Sequence, residues 1–342
     1  MRDYFIRRLL LIIPTLLGVT LLVFAITRIL PGGPMDQAVM RMRMANSEGR
    51  GGHGGAGRSG NAELSPEQIQ QLKEAYGFDK PILVAYWNWL LKICQGDMSV
   101  SFRYSTPVWD LIQERLGIST YFGLMTLFLS YGVCIPLGVL KALKHRTFLD
   151  TSSSVLIFAG YAVPNFTLAA LLVTFFAANW RWFPTGGFTS DNFADLSLFA
   201  KATDILWHTT LPLICYMVGM FAFLTMLKKN SLLDNLAADY VRTAVGKGCS
   251  FSQAVRRHAF RNSFIPIATS LGQEISLFLA GQFLIETIFD IDGLGLLGYN
   301  SIIDRDYTVV MGILFLTALL TMLGNILSDF LVAMTDPRVR FE

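Results

Sequence analysis

Charged residues are scarce in this chain of 342 residues. They make up 15% of the sequence, whereas hydrophobic residues make up 53%. Soluble domains contain about 25% charged residues, so the composition excludes an ordinary soluble protein and predicts an integral membrane protein. The formal net charge is only +3, which gives no reason to expect a nucleic-acid partner.

Motifs for catalysis and for metal binding are also missing. The sequence has no G-x-x-x-x-G-K-[ST] loop, and its Gly246-Lys247 pair is followed by Gly248. Its four histidines show no paired metal spacing, and neither a nucleophile elbow nor an H-E-x-x-H motif occurs. We therefore expect no catalytic residue, metal or cofactor, and we expect any ATP hydrolysis to occur on another chain. The alternative is an intramembrane enzymatic activity that leaves no recognisable motif.

Six stretches of the chain reach the roughly 20 apolar residues that a helix needs to cross the hydrocarbon core. Glu274 is the one acidic or basic residue within them. Barrel strands would be shorter and would alternate in polarity, so helices are the expected structure. The predicted fold class is an all-α polytopic membrane protein with six transmembrane helices, of which the first is an uncleaved anchor. The predicted spans are residues 9–27, 118–140, 152–178, 209–227, 264–285 and 309–328.

Basic residues predict the orientation of these spans, because they accumulate in cytoplasmic loops. They precede the first span, lie between spans 2 and 3 and between spans 4 and 5, and end the chain. The opposite side is sparse where its loops are short, with Arg181, Lys201 and Arg305. Both termini should therefore be cytoplasmic. The basic residues assigned to the cytoplasmic side are Arg2, Arg7, Arg8, Lys141, Lys144, Arg146, Lys228, Lys229, Arg242, Lys247, Arg256, Arg257, Arg261, Arg338 and Arg340.

The predicted spans divide the chain into four parts. Residues 1–30 hold the cytoplasmic N-terminus and the first transmembrane helix, and residues 31–117 form a long external loop. Residues 118–335 form a five-helix transmembrane core that includes the cytoplasmic loop 228–263, and residues 336–342 are a cytoplasmic tail. The four cysteines, at positions 94, 134, 215 and 249, are scattered over these parts, so we expect four unpaired thiols.

The external loop should contain a mobile insertion followed by short helices. Residues 46–61 are rich in glycine and cannot bury a core. Ser65 and Pro66 then begin a helix, Pro81 begins a second and Pro107 begins a third. The tryptophans of this region favour helices that lie on the outer face of the membrane, although a small packed subdomain is an equal alternative.

The loop 228–263 has the pattern of two helices joined by a tight turn. The first helix is predicted at 231–245 and ends at Gly246 and Gly248. Ser250 caps the second helix, with Gln253 at capping-box spacing, and this helix runs toward Pro266. Small side chains at a turn between two helices suit close docking of another protein. The alternative is an ordinary basic cytoplasmic loop whose helix ends in glycine, as many helices do.

Short motifs along the whole chain resemble those of a known family. They are similar to motifs of the permease subunits of ATP-binding-cassette importers, whose coupling motif is often called the EAA loop. Among these permeases, the similarity is greatest to the dipeptide and oligopeptide branch. The matching motifs are Ile6-Arg7-Arg8-Leu9-Leu10, Tyr76-Gly77-Phe78-Asp79-Lys80-Pro81, Tyr240-Val241-Arg242-Thr243-Ala244, Lys247-Gly248, Arg257-His258-Ala259, Arg261-Asn262, Glu286-Thr287-Ile288-Phe289, Gly293-Leu294-Gly295, Arg305-Asp306-Tyr307 and Asp336-Pro337-Arg338.

Two departures from the general coupling motif favour the peptide branch over other branches of the family. Arg242 and Thr243 stand where the general motif has Glu and Ala, and the distance from Gly248 to Pro266 exceeds the general spacing. The peptide branch shares both features. The Gly-rich insertion, the motif Leu296-Leu297-Gly298-Tyr299 and the tail Val339-Arg340-Phe341-Glu342 are most similar to the Yej-type permeases, which are associated with peptides and with peptide-antibiotic conjugates such as microcin C.

The resemblance implies the type I permease fold of these importers, with a cytoplasmic coupling helix, and a place in the bacterial inner membrane. The implied partners are a homologous second permease that completes a heterodimer, cytoplasmic ATP-binding subunits, a periplasmic peptide-binding protein and membrane lipid. The rival reading is a stand-alone secondary transporter or channel. Such proteins often show repeated halves or broken helices around an ion site, and the sequence shows neither. The implied residues for coupling to the ATPase are Tyr240, Arg242, Thr243, Ala244, Gly246, Lys247, Gly248, Arg257, His258 and Arg261.

Glu274 lies about ten residues into the fifth predicted span, or roughly 15 Å along a helix, and hence near the middle of the bilayer. A carboxylate at that depth is costly against lipid and normally faces a cavity or a partner. Glu274, with Gln273 and Gln282, is therefore a candidate lining residue of a translocation path. The alternative is a protonated or hydrogen-bonded glutamate at the interface with the partner permease. Glu286, at the outer end of the span, should support the turn at 290–298.

Overall fold

A computed structural model describes residues 2–29, 39, 79–279 and 281–335. The Gly-rich insertion at 46–61, the helix predicted from Ser65 and the tail at 336–342 lie outside the described residues. Regular structure within the described ranges is helical, apart from one isolated bridge between Val100 and Pro107. The predicted all-α fold class is confirmed.

The helices are numbered here in chain order. The helix α5 continues into a π-helical stretch at Val173–Asn179, and α8 joins three short pieces, of which the middle one is π-helical. The described helices are α1 (Arg2–Ile29), α2 (Ile82–Cys94), α3 (Val108–Leu143), α4 (Phe148–Ala162), α5 (Asn165–Leu172), α6 (Leu198–Ala237), α7 (Asp239–Gly246), α8 (Phe251–Ala254, Val255–Ala259 and Phe260–Asn262), α9 (Ile265–Leu279), α10 (Phe283–Ile288), α11 (Leu294–Ile303) and α12 (Tyr307–Thr335).

The six predicted spans differ in how continuous they are. Among the described residues, α1, α3, α6 and α12 are each long and apolar enough to cross a membrane. The helices Phe148–Ala162 and Asn165–Asn179 meet at a bend of 93° and make a fifth span if the pair is counted as one. The predicted span 264–285 is divided, because α9 ends at Leu279 and α10 begins at Phe283. Gly281 has a φ of +76°, which a right-handed helix cannot contain.

Pro164 bends the third predicted span. Val163, which precedes Pro164, takes an extended conformation with ψ of 123°, because the proline ring disfavours the helical conformation of the residue before it. This is the position of the 93° bend between α4 and α5. Pro136 and Pro212 instead lie inside the continuous helices α3 and α6.

Helix boundaries outside the membrane were predicted with mixed success. The helix expected after Pro81 is α2, which begins at Ile82. A helix does begin after Pro107, as predicted, but it is not a separate short helix, since α3 runs without a break from Val108 through the second span. The helix predicted at 231–245 had the wrong start: α6 extends to Ala237, and α7 follows it after an extended Ala238.

The described chain contains two compact units. The first comprises Met1–Ile12, Arg115–Leu297 and Thr317–Glu342. In its apolar core, the ring of Phe122 on α3 stacks on that of Tyr216 on α6, with centroids 5.3 Å apart. Close van der Waals packing of such side chains holds membrane-spanning helices together, because lipid tails are as apolar as the side chains themselves.

Within the first unit, α9 and α12 approach each other backbone to backbone. A Cβ atom at Gly272 would collide with the carbonyl oxygen of Gly324, and one at Gly324 would come within 2.7 Å of the Gly272 carbonyl oxygen. Small residues permit this approach. Beside the contact, the Ser328 hydroxyl donates to the carbonyl oxygen of Ala268 at 2.6 Å.

The second unit comprises Ile13–Glu114 and Gly298–Leu316. Its core packs Phe24 of α1 and Tyr86 of α2 with Met311 of α12, and the Tyr86 hydroxyl lies 2.9 Å from the Thr20 hydroxyl. The aromatic side chains of α2 therefore pack on α1 and α12 within this unit.

Candidate functional site

The hairpin segment, defined here as residues 238–263, contains α7 and α8 and packs on the ends of two spans. Val241 of α7 and Ala254 and Ala259 of α8 are buried against Ala142 of α3 and Leu232 of α6. The contact side chains from α8 are small, so the segment lies close to the helix ends beneath it. It is therefore a compact element attached directly to two membrane-spanning helices.

The turn of the hairpin segment has an open surface. A Cβ atom at Gly246 or Gly248 would meet no atom of the described residues within 4 Å. Gly248 has a φ of +95°, a conformation that favours glycine. The predicted capping box is confirmed: the Gln253 amide donates to the Ser250 hydroxyl at 3.3 Å, and the Ser250 amide donates to the Gln253 side chain at 3.2 Å.

The outer face of the hairpin segment carries apolar side chains that sequence reasoning missed. Phe251 is 59% exposed, and Val245 is also exposed. Tyr240, which was predicted, is exposed as well. The sequence did contain a signal for this exposed side chain. Phe251 is a large apolar residue directly after the cap Ser250, and the helix that it begins packs inward through small side chains. An exposed aromatic beside an open turn is a feature of protein contact surfaces.

The inner side of the hairpin segment forms a cleft of about 870 Å³. Its wall includes seven of the ten residues predicted to couple to an ATPase. Four of these seven, Lys247, Arg257, His258 and Arg261, are basic residues or histidine. The cleft is therefore suited to bind anionic groups. Arg242 is not in the wall: its side chain is 74% exposed and lies 3.5 Å from Asp239. The cleft is lined by Ser231, Asn235, Tyr240, Thr243, Ala244, Lys247, Cys249, Arg257, His258, Arg261, Asn262, Ile265 and Pro266.

Two adjacent lysines of α6, assigned above to a cytoplasmic loop, are buried instead. Lys228 has no exposed surface, and its ammonium group donates to the Ser263 hydroxyl at 2.8 Å and lies 4.1 Å from the centre of the Phe260 ring. A cation over an aromatic face is attracted by the ring. Lys228 therefore fastens the end of the hairpin segment to α6.

The neighbouring Lys229 reaches the opposite way, to α4. Its ammonium group donates to both carboxylate oxygens of the buried Asp150, at 2.7 and 2.9 Å. Lys141 of α3 is also fully buried, lies 3.2 Å from the same carboxylate and donates to the hydroxyls of Ser153 and Ser154. One carboxylate thus joins α3, α4 and α6 directly beside the base of the hairpin segment.

The candidate path residues lie in different surroundings. Glu274 on α9 is 5% exposed, and its Oε2 atom has no hydrogen-bond partner among the described residues. Gln273 is also on α9, but its side chain is outside the described part. Gln282 begins α10, and its backbone amide donates to Glu286 at 3.1 Å. Within the described ranges, no group of three or more His, Cys, Asp and Glu side chains is arranged to hold a metal ion.

Glu286 organises the turn at 290–298, as predicted. Besides the bond from Gln282, its carboxylate accepts bonds from the Leu296 amide at 2.6 Å and from the Tyr216 hydroxyl at 3.2 Å. A Cβ atom at Gly293 would come within 2.7 Å of the carboxylate. Glycine there lets the backbone fold around the side chain, so the motifs at 286–289 and 293–295 are two halves of one structural turn.

Comparison with known proteins agrees with this architecture. Residues 134–341 match the family described as the inner membrane component of binding-protein-dependent transport systems. The whole chain is 40% identical to the full length of the inner membrane ABC transporter permease protein YejB of Escherichia coli O157:H7. It is 39% identical, over 99% of the relative, to the peptidoglycan transport system permease protein YejB of Agrobacterium fabrum. It is 32% identical, over full length, to the dipeptide transport system permease protein DppB of Escherichia coli K12.

The chain belongs to the family of inner-membrane components of binding-protein-dependent transport systems. It is accordingly a multi-pass protein of the inner membrane and a transport component.

Proposed function

We propose that the chain is a permease subunit of an ATP-driven importer of peptides or peptide-conjugate antibiotics, and that it forms half of the translocation pathway. The observation that carries this proposal is similarity over the whole chain to relatives named as peptide permeases. Besides the dipeptide permease, these include the oligopeptide transport system permease protein AppB of Bacillus subtilis, which is 34% identical over full length.

The remaining parts of the importer are separate proteins in this proposal. A homologous second permease supplies the other half of the pathway, cytoplasmic ATP-binding subunits hydrolyse ATP, and a periplasmic protein delivers the peptide. The absence of a phosphate-binding loop from the sequence supports this division of labour. This chain does no covalent chemistry.

The hairpin segment couples the chain to the ATP-binding subunits. Its open turn at 244–250 and the exposed Phe251 contact the ATPase, and the cleft residues Lys247, Arg257, His258 and Arg261 attract acidic groups near that contact. When ATP binding closes the ATPase, the turn moves with it. The buried contacts of Val241 and Lys228 pass this motion to α3, α6 and α9.

Both termini face the cytoplasm in this proposal, and 31–117 forms the periplasmic loop. The bias of basic residues supports the orientation. Asp329, near the end of α12, accepts a bond from the Tyr4 hydroxyl at 3.3 Å and pairs with Arg8, so the start of α1 and the end of α12 lie on one side.

A second candidate cargo is a fragment of peptidoglycan, because the Agrobacterium relative is named as a peptidoglycan transport permease. Co-purification of the assembly, followed by mass spectrometry of material bound to the external binding protein, distinguishes peptides from sugar-linked fragments. Uptake of the compound so identified should stop on ATP depletion and survive collapse of the ion gradients. The opposite pattern would favour a secondary transporter.

A further inference from the structure

Buried oxygens without hydrogen-bond partners concentrate at one place in the membrane-spanning helices. Five such side-chain oxygens occur among the described residues, and all five lie on α3, α6 and α9. We refer to these residues as the polar cluster. Its members are Thr126, Ser130 and Tyr131 of α3, Thr225 of α6 and Glu274 of α9.

Around Tyr131 and Cys134, the helices α3, α6 and α9 come together. Thr126, Ser130 and Cys134 are four residues apart, which places them on one face of α3, and none of the three has exposed surface. The Cys134 thiol faces Thr225 and lies 3.8 Å from the Phe221 carbonyl oxygen of α6. Glu274 is close enough to act electrostatically on Cys134 and on the Tyr131 hydroxyl.

A permanently sealed bundle is a poor environment for these groups. Buried polar atoms in proteins are nearly always paired, and the hydrocarbon core supplies no water to pair them. An ionisable side chain inside a span normally marks a water-filled cavity or a transport path. Buried side-chain oxygens that lack a well-formed hydrogen bond are instead suited to a surface that is wet in another state of the protein.

We propose that the polar cluster is the closed form of a stretch of the translocation path. When α3 and α9 separate during the transport cycle, the hydroxyls and the Glu274 carboxylate face water, and the carboxylate makes this stretch selective for cationic groups. The N-terminal ammonium group of a peptide is such a group. The inference rests on the proposed function, since it requires a permease that opens and closes with ATP.

The burial of Glu274 distinguishes this assignment from an interface role. Its carboxylate is covered by helices of its own chain, so a partner permease does not provide that cover. The apolar core gives a contrasting environment: Cys215 of α6 is also fully buried, but it lies with Phe122 and Tyr216. Cys134 and Cys215 therefore form a matched pair of probes on buried faces of opposite polarity.

The experiment measures how fast methanethiosulfonate reagents modify these two native cysteines. The assembled complex, with cysteine-free partner subunits, is reconstituted in nanodiscs without nucleotide and with ATP and vanadate. One version of the chain keeps only Cys134, and another keeps only Cys215. Each is treated with cationic MTSET and anionic MTSES, and rates are normalised to those of the denatured protein.

In at least one nucleotide state, Cys134 should react about tenfold faster than Cys215, and faster with the cationic than with the anionic reagent. Glu274→Gln keeps the shape of the side chain and removes its charge, so it should lower the cationic-to-anionic rate ratio by about fivefold. Equal, slow labelling of both cysteines in both states would overturn the proposal. So would a rate ratio at Cys134 that Glu274→Gln does not change.

Two further versions keep the outcomes distinct. If the Glu274→Gln variant does not assemble, the test uses the chain that keeps Glu274. A cationic-to-anionic rate ratio near unity at Cys134 in that chain refutes the proposal. A chain that keeps only Cys249, which lines the hairpin cleft, reports the proposed function: binding of the ATPase should slow its labelling. If binding of the ATPase does not slow the labelling of Cys249, the coupling assignment is refuted. If it does slow that labelling but Cys134 reacts as slowly as Cys215 in both nucleotide states, only the path assignment is refuted.

Discussion

Lys229 on α6 holds the carboxylate of Asp150 on α4 through two hydrogen bonds, at 2.7 and 2.9 Å, in the interior of the first unit. The residue before it, Lys228, is bound to the end of the hairpin segment through Ser263. One turn of α6 is therefore fastened on one side to α4 and on the other to the element that we assign to ATPase docking. Relative motion of these elements would break buried charge contacts, so they should move together.

The ion group around Asp150 predicts an order of stabilities. Asp150→Asn leaves two buried ammonium groups without their carboxylate and should destabilise the protein by about 3–5 kcal/mol. Lys229→Met should cost less, because Lys141 still balances Asp150. Lys144→Met, which changes an exposed lysine of the same region, is the control. Thermal unfolding of the purified complex in detergent ranks the three, and a larger loss for Lys229→Met than for Asp150→Asn would contradict the arrangement.

The open turn predicts a separation of assembly from transport. Gly248→Asp introduces a charge and a side chain at a left-handed position on the docking surface, and Ala244→Arg places a large cation in the cleft. Uptake should collapse for both variants while insertion and pairing with the second permease persist. Gly117→Ala, on α3 and outside the hairpin segment, is the control, since its Cβ atom meets nothing within 4 Å among the described residues. Normal uptake by both charged variants would remove the main support for ATP coupling.

Phe251 should be an energetic centre of the contact with the ATPase. Buried aromatic anchors of interfaces cost about 2 kcal/mol or more when truncated, so Phe251→Ala should weaken binding of the ATP-binding subunit by roughly 30-fold. Phe148, which is 87% exposed at the start of α4, is the matched control, because it also follows a helix cap on the same side. Binding is measured by titrating the ATP-binding subunit onto the permease pair in nanodiscs. Equal losses from the two alanine variants would argue against a specific role.

The tightly packed turn around Glu286 predicts that substitutions of one or a few atoms there lower the stability of the protein. Glu286→Gln replaces an acceptor oxygen with an amide group that faces donors, which should cost about 1–3 kcal/mol. Gly293→Ala should cost a similar amount, because its Cβ atom would press on the carboxylate. Gly117→Ala, whose Cβ atom would meet nothing within 4 Å among the described residues, should be tolerated. Fluorescence-detected thermal stability of the three variants tests this order.

The proposed orientation is open to direct labelling. In a chain without native cysteines, Ala194→Cys should react with an impermeant thiol reagent added to the periplasmic side. Ser252→Cys, on the exposed face of the hairpin segment, should react only after the membrane is opened. Labelling of Ser252→Cys in intact spheroplasts would reverse the orientation.

Much of the fold was accessible from composition alone, because an apolar stretch in lipid has few alternatives to a helix. The hairpin turn was accessible for a local reason: Ser250, Gln253 and Gly248 have backbone roles that depend on near neighbours in sequence. The unbroken extension of α6 to Ala237 was missed because the residues after Leu227 change from apolar to polar without any residue that stops a helix.

Burial of charge was the main feature that the sequence could not reveal. The rule for basic loops uses the sign of a residue and carries no information on its depth, so the assignment of Lys141, Lys228 and Lys229 to the cytoplasmic side could not reveal that they are buried. Their partners Asp150 and Ser263 are distant in sequence. The polar cluster was missed for the same reason, since Thr126, Ser130 and Thr225 look like ordinary helix residues until α3 and α6 are placed together.

The backbone contact between Gly272 and Gly324 ties α12 to any movement of α9, although residues 238–263 of the hairpin segment do not belong to α12. At this crossing there is no side chain that could change rotamer and absorb a displacement of α9. If the hairpin segment moves with the ATPase as we propose, a displacement of α9 should therefore be passed directly to α12. A side chain added at either glycine would act as a wedge, and we expect it to hold the pair permanently apart.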